Sequence, residues 1–266
     1  MKLRIEHKTH YEYSAPLHYT LQSLRLTPKA SAHQTVVHWA LQVPGKLFAE
    51  RDGYGNDAHT WTLARRLWRG DIRATGLVVT HASSWLVDDT ACPSPLVYLR
   101  PTQLTPTHAS FAELGAGVFN QGVTERAALD LADRVLERVK YKSGETDVKT
   151  TALDALRLGA GVCQDQAHVY IAACRAQGVP ARYVSGYFYA PASPALASHA
   201  WADVCVDAAS RRWLSVDITH GCLMDERHVR LAVGPDYAAC LPIRGIRHGG
   251  GKEAMRVSVD IRSGDT

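Results

Sequence analysis

The sequence lacks the features that would associate the protein with a membrane or with nucleic acid. No apolar run approaches the roughly 18 residues that a membrane-spanning helix requires. The 30 basic and 26 acidic residues leave a net charge of only +4 and form no long basic run, so neither nucleic acid nor a membrane surface is expected as a partner. Charges interrupt the first stretch, Met1 to Lys8, which does not have the pattern of a secretion signal. We therefore expect a cytoplasmic protein.

The 266 residues, 46% of them apolar, suffice for one large or two modest domains with a buried core. Residues 1–100 contain short runs of strand formers separated by Gly and Pro, which is typical of an antiparallel sandwich. After a Pro-rich connector, helical spacing predicts helices at about 124–139, 151–158 and 162–177, and strands return after 182. The predicted class is α+β, with an N-terminal β-sandwich domain at 1–100 and a second domain at 101–266.

One cysteine differs from the others in its position. The six lie at least 11 residues apart, which excludes a zinc site of the CxxC type: Cys92, Cys163, Cys174, Cys205, Cys222 and Cys240. Cys163 follows Gly159-Ala160-Gly161-Val162 and begins a predicted helix, where the helix dipole favours a thiolate and free N–H groups can bind an oxyanion. Cys174 lies three turns further along that helix and is predicted to be core.

A nucleophilic thiol needs a base, and the chain has 13 histidines. His168 is closest in sequence, but five residues turn the helix so that it points roughly 140° away from Cys163. It is therefore interpreted as a packing residue. His220 and His228 stay open as candidates on spacing alone.

His199 is better placed, because it shares a predicted hairpin with a carboxylate. It lies on a strand at 198–206, and Asp217 lies on a strand at 213–219, with a turn-like stretch between them. One register puts the two residues directly opposite each other and the next makes them diagonal neighbours; both keep them on one face. Asp203 shares that face but lies roughly 13 Å along the strand, too far to orient the imidazole.

These residues predict a thiol activated by a His–Asp pair, although His199 and Asp217 could also be ordinary sheet residues. A metal site is the other alternative. A strand separation of about 20 Å prevents His199 and Cys205 from sharing an ion, and His220 with Cys222 lacks further ligands. We expect no metal and no cofactor.

Four ordered segments resemble the bacterial transglutaminase-like superfamily, whose members are described as cysteine proteases. The segments are Gly161-Val162-Cys163-Gln164-Asp165-Gln166-Ala167-His168, Gly178-Val179-Pro180-Ala181-Arg182-Tyr183-Val184-Ser185-Gly186-Tyr187, Ser198-His199-Ala200-Trp201 and Trp213-Leu214-Ser215-Val216-Asp217-Ile218-Thr219. The resemblance implies a papain-like α+β core in which the Cys-bearing helix packs on an antiparallel sheet. It also implies Cys163 as nucleophile, His199 as base and Asp217 as the orienting carboxylate, in agreement with the hairpin.

The rest of the chain resembles this family as well. Residues 5–13, 24–28 and 52–56 resemble the β-sandwich domain that precedes the core, and residues 233–237 and 242–245 resemble its C-terminal block.

Three departures lie near these motifs. Gln166 stands where an aromatic is usual, Ile218 and His220 replace the Pro and Asn of Asp-Pro-Thr-Asn, and Pro235 replaces Arg. We interpret His220 as a solvated loop residue, with an effect on substrate choice as the alternative.

The expected function is acyl transfer from an amide through a thioester, with a peptide or protein as substrate. Hydrolysis is favoured because water needs no dedicated acceptor site; transfer to an amine and a non-catalytic peptide-binding module are the alternatives. Candidate substrate contacts, each with packing as the competing interpretation, are Gln164, Tyr183, Tyr187, Trp201 and Tyr237.

Overall fold

Two antiparallel sheets and one central helix organise the residues that the computed structural model describes, 1–191 and 198–264. The strands in these residues are β1 (Lys2–Leu24), β2 (Gln34–Gln42), β3 (Lys46–Arg51), β4 (Asp57–Leu63), β5 (Leu67–Thr80), β6 (Trp85–Val87), β7 (Lys140–Tyr141), β8 (Ala160–Gly161), β9 (Ala181–Phe188), β10 (Ser198–Asp207), β11 (Arg212–Asp217), β12 (Cys222–Leu223), β13 (His228–Gly234), β14 (Ile243–Gly249) and β15 (Glu253–Ser263). The helices are α1 (Ala109–Gly115), α2 (Glu125–Arg138), α3 (Ala152–Leu158), α4 (Cys163–Ala176) and α5 (Tyr237–Cys240), and a 3-10 helix spans Pro95–Leu99. None of these helices is long and apolar enough to cross a membrane. The predicted α+β class is confirmed.

The first sheet is curled because its long strand β1 takes part in both of its halves. The strand order is β2-β5-β1-β4-β3, and β14 and β15 also pair with β1. The pairing of β1 with β5 is irregular between Glu12 and Leu17, around Pro16, which has no N–H to donate to a sheet. The two halves enclose an apolar core that includes Leu17, Trp61 and Ile72, so the predicted all-β N-terminal region is confirmed.

The first sheet is completed by strands from the far end of the chain. β15 pairs with the first half of β1 and β14 with its second half, whereas β6 pairs with β11 in the second sheet. The predicted division into domains at 1–100 and 101–266 does not include these connections. That the two parts are independent domains stays a prediction. Composition identified a strand at Met255–Ile261, but composition does not show which sheet a strand joins.

The second sheet supports the helix that begins at Cys163. Its order is β12-β11-β10-β9-β13, and α4 packs across β9 and β10 with α1, α2 and α3 around it. The α4 residues from Asp165 to Cys174 are all buried, and the helix is followed by Gly178 at φ +73°, a conformation that favours glycine. The predicted bounds of α4, and those of α2 with Thr124 as its N-cap, agree with the structure to within one residue.

The two sheets meet through apolar side chains and through a polar turn. Leu3 and Ile5 of β1 pack against Tyr187 of β9 in a buried cluster. In the turn, the Asn56 amide donates to Val233 O and accepts from Val233 N, both at 2.8 Å, as a neighbouring strand would. The segment at 52–56 that resembles the family therefore joins the two sheets.

A buried ion network lies in the second sheet. The Asp203 carboxylate accepts from Arg182 Nε at 2.8 Å, from Arg230 Nη1 and Nη2 at 2.9 and 2.6 Å, and from Ser215 Oγ at 2.7 Å. Burial opposes its charge, but the two guanidinium groups lower its pKa to about 2. Asp203 therefore forms ion pairs within the sheet, in agreement with the prediction that it lies too far from His199 to orient the imidazole.

We predict that Asp203→Ala destabilises the protein by about 3–5 kcal/mol, because it leaves the buried Arg230 without a carboxylate and Arg182 with Asp88 alone. Urea denaturation at neutral pH measures this loss. Asp260→Ala, which removes an exposed ion pair with Arg262, is the control and is expected to cost about 0–1 kcal/mol.

The stability that Asp203 contributes also depends on pH in a defined direction. Since its folded pKa of about 2 lies below the ordinary 3.8, the contribution is present above about pH 4 and is lost as the pH falls toward 2. Equal losses in the two alanine variants, or a loss at Asp203 that does not shrink in acid, would contradict this account.

Candidate active site

Cys163 is the first residue of α4 and is half-buried. A carboxylate fixes the start of the helix: Asp165 Oδ2 accepts from Val162 N at 2.8 Å and from Thr146 Oγ1 at 2.7 Å. A Cβ at Gly161 would lie only 2.6 Å from the Asp165 side chain, so this close approach requires glycine. The Asp165 side chain therefore connects the first turn of α4 to the residue before Cys163 and to the loop that contains Thr146.

The hairpin of β10 and β11 brings His199 to Asp217. Its register pairs Ala202 with Val216, the second of the two predicted registers, in which Asp217 is a diagonal neighbour of His199. His199 Nε2 lies 2.8 Å from Asp217 Oδ2, and both side chains are buried. The predicted face of the hairpin and its imidazole–carboxylate contact are confirmed.

Asp217 also holds two further histidines. Its Oδ2 atom lies 2.7 Å from His220 Nδ1 and 2.9 Å from His228 Nε2, and its Oδ1 accepts from His220 N at 3.2 Å. Burial opposes the charge of this carboxylate, but the positive charge of His199 and the bonds from all three imidazoles hold its pKa well below the ordinary value. A charged carboxylate has no proton to give, so each facing imidazole nitrogen is the donor.

The hydrogen bond from His199 Nε2 to Asp217 leaves the second ring nitrogen, Nδ1, available. Nδ1 is buried and has no well-formed hydrogen bond among the described residues. Burial lowers the pKa of His199, but the Asp217 carboxylate and the nearby Cys163 thiol raise it by more. Among the described residues, no hydrogen bond joins Nδ1 to the Cys163 thiol.

His228 is fixed between two carboxylates. Its Nε2 faces Asp217 and its Nδ1 lies 3.1 Å from Asp225 Oδ1. Burial lowers its pKa, while the hydrogen bonds to both carboxylates raise it, and the pKa is raised overall. The ring of Phe188 packs between the imidazoles, 4.2 Å from His220 and 4.8 Å from His228 between centroids.

One group of the described residues has the side chains of a metal site: ligand atoms of His199, Asp217 and His228 lie within 4.8 Å of one another. Both histidines direct an N–H at the same carboxylate oxygen, so the nitrogen lone pairs that a cation needs carry protons in this arrangement. The donor set therefore fits a hydrogen-bonded centre, and the expectation of no metal stays a prediction.

Family models match most of the chain. The bacterial transglutaminase-like N-terminal region matches residues 3–79, and the transglutaminase-like superfamily core matches residues 115–218. An uncharacterized protein of Mycobacterium tuberculosis is 30% identical over 98% of this chain and 92% of its own length. The chain belongs to the transglutaminase-like superfamily.

Two further similarities extend over the full length. An uncharacterized protein of Mycobacterium leprae is 28% identical over 98% of both chains. The crystal structure of a "putative cysteine protease" from Cytophaga hutchinsonii is 22% identical and matches 100% of this chain and 91% of its own, with a TM-score of 0.78. At this identity the second comparison shows the fold alone, which is the predicted transglutaminase-like fold.

Two of the residues that depart from the superfamily pattern, Gln166 and His220, bond to Asp217 or to the segment that follows it, whereas Pro235 O accepts from Arg175 Nη2 at 2.6 Å. Gln166 of α4 donates to Val139 O at 2.9 Å and accepts from Thr219 Oγ1 at 2.8 Å, so it connects the helix to the end of β11. The side chain of His220 is 24% exposed and bonds to Asp217, which makes it more than a solvated loop residue. The spacing left His220 and His228 open, and only their contacts show their place.

The five candidate substrate contacts lie at different depths. Tyr183, Tyr187 and Trp201 are 0–2% exposed and pack inside the core, whereas Gln164 and Tyr237 are half-buried. His168, interpreted as a packing residue, is fully buried and accepts from Tyr237 N at 3.1 Å. Burial lowers its pKa to about 4. The substrate contacts stay a prediction.

We predict that Asp217→Asn lowers the pKa of His199, because burial then acts without the carboxylate that opposes it. An NMR titration of the imidazole resonances measures the shift. Asp225→Asn is the matched control: it should lower the pKa of His228, which Asp225 contacts directly, and leave His199 close to its original value. An unchanged His199 titration in Asp217→Asn would refute the proposed coupling.

Proposed function

We propose that the protein is a cysteine-dependent acyl-transfer enzyme that acts on an amide bond of a peptide or protein. The arrangement of His199 supports the proposal: Asp217 holds one ring nitrogen at 2.8 Å, and the other, Nδ1, is buried without a hydrogen-bond partner among the described residues, so we assign it to the Cys163 thiol. A Cys paired with an oriented imidazole is the arrangement that nucleophilic catalysis requires.

In the first step, His199 takes the proton of Cys163, and the sulfur attacks the amide carbonyl. The developing oxyanion is stabilised by the backbone N–H of Cys163, which stands in the first turn of α4, where N–H groups have no partner within the helix. His199 then gives its proton to the leaving amine as the C–N bond breaks. Asp217 fixes the ring and stabilises its charged form throughout.

A second nucleophile resolves the thioester. We propose water, activated by His199, so that the products are an acid and an amine, because water needs no further binding site. The chemistry requires a reduced thiol, which agrees with the proposed cytoplasmic location. No cofactor enters any step.

The two possible acceptors are distinguished by incubating the protein with glutamine-containing peptides, with and without a primary amine. Mass spectrometry of the products should show a loss of ammonia or peptide cleavage with water incorporated, whether or not amine is present. A product that carries the added amine would show transfer instead of hydrolysis.

Cys163→Ala is expected to abolish product formation, because no other described cysteine stands at a helix N-terminus beside an imidazole. Cys222→Ala is the control: Cys222 is half-buried, and burial raises its pKa to about 11, so it is a weak nucleophile at neutral pH. Its variant should keep the turnover rate. Full activity of Cys163→Ala would overturn the proposed mechanism.

A further inference from the structure

A cleft of about 750 Å³ opens between the two sheets, and Ser198, the residue before the proposed base His199, lines it. One wall is formed by β1 and β15 of the first sheet, and the opposite wall by α5, the segment that follows it, the loop before α3 and the start of β10. Its volume lies within the roughly 300–1,000 Å³ that is typical of ligand sites. The catalytic steps proposed above do not use it.

The cleft exists because two sheets that are packed together at one end separate toward the other. Alternate residues of β1 and β15 share one face, with Ile5 paired to Ile261 and Thr9 to Val257. At the closed end Ile5 is 1% exposed and packs against the second sheet. Further along the same face of β15, Val257 is 50% and Met255 is 55% exposed, and both line the cleft.

The far wall is attached to the residues around the thiol. Ser198 directly precedes the proposed base in β10. Val148 lies in the loop whose Thr146 hydroxyl donates to Asp165 in the first turn of α4. The third contact is Tyr237, which bonds to α4 through its backbone N–H. The far wall of the cleft is therefore linked to β10 through the chain and to α4 by hydrogen bonds of residues in or beside the wall.

The cleft has no charged side chain to match a charged ligand. None of the described residues that line it is Asp, Glu, Lys or Arg, although 21% of the chain is charged. His7, at its base, is buried, and burial lowers its pKa to about 4, so it is neutral near pH 7. Its Nδ1 bonds the Tyr187 hydroxyl at 2.8 Å and its Nε2 bonds Thr9 at 3.1 Å, so its polarity is already satisfied. A charged group that is buried here finds no opposite charge among these lining residues.

We propose that this cleft binds uncharged, apolar side chains on the acyl side of the attacked amide. The inference rests on the proposed acyl-transfer function and adds the class of substrate. The acyl portion stays attached to Cys163 in the thioester and must remain bound through both steps, whereas the amine portion leaves after the first. A cleft attached to the helix that carries Cys163 suits the portion that stays, and β1 and β15 then set the specificity.

The test measures how fast Cys163 is alkylated by peptidyl chloromethyl ketones that carry Leu, Glu or Lys beside the reactive carbon. The sulfur displaces chloride in each case, and every rate is divided by the rate with iodoacetamide, a small neutral reagent that needs no cleft. The Leu reagent is expected to react at least about tenfold faster than the Glu and Lys reagents on this relative scale.

Val257→Asp should lower the relative rate of the Leu reagent and raise that of the Lys reagent, because it places a carboxylate in the cleft. Ile246→Asp is the matched control: Ile246 is 65% exposed on β14, next along the same hairpin, and lies outside the cleft. It should keep the wild-type preference.

Equal relative rates of the three reagents with the wild-type protein, or a Leu preference that Val257→Asp does not change, would overturn the cleft proposal while leaving the thiol mechanism in place. Failure of iodoacetamide to modify Cys163 would count against the proposed function itself. The gain with the Lys reagent cannot arise from misfolding, so a reduced yield of the variant does not obscure the result.

Discussion

The charge of Asp217 is the constraint on which the site depends. A carboxylate with no exposed surface is stable as an anion only when donors surround it, and here three imidazoles supply them. These donors come from β10, from the loop after β11 and from the start of β13. The orientation of His199 is therefore fixed by three separate chain segments that converge on one oxygen atom.

The helix and the hairpin are connected to this centre by the residues that differ from the superfamily pattern. Gln166 reaches from α4 to Thr219, and His220 reaches back from the next position to Asp217. Both contacts involve the short segment between β11 and β12. The superfamily pattern usually has a proline at the start of that segment, and its ring restricts the backbone. In this chain the proline is absent, and hydrogen bonds hold the segment instead.

The parts of the structure that local periodicity determines could be predicted from the sequence. The start of α4 at Cys163 and the common face of His199 and Asp217 follow from helical and strand spacing. The spacing left two hairpin registers open, and the structure has the second. The contact of His228 with Asp217 could not be predicted, because β13 reaches its place by pairing with β9 rather than with a sequence neighbour. The pairing of β14 and β15 with β1 could not be predicted for the same reason, because these strands are far apart in the sequence. Pairing over such distances depends on the assembled sheet, which composition does not describe.

The position of β14 and β15 has a consequence for synthesis of the chain on the ribosome. β1 leaves the ribosome before the second sheet, but β14 and β15, which pair with one of its edges, are made only after the whole of that sheet. An open strand edge can pair with other chains, so a nascent β1 is exposed to aggregation until β14 and β15 are made. The wall formed by Val257 and Met255 is completed in the same event. The second sheet and the helix that begins at Cys163 can therefore be synthesised before the wall to which we assign substrate binding.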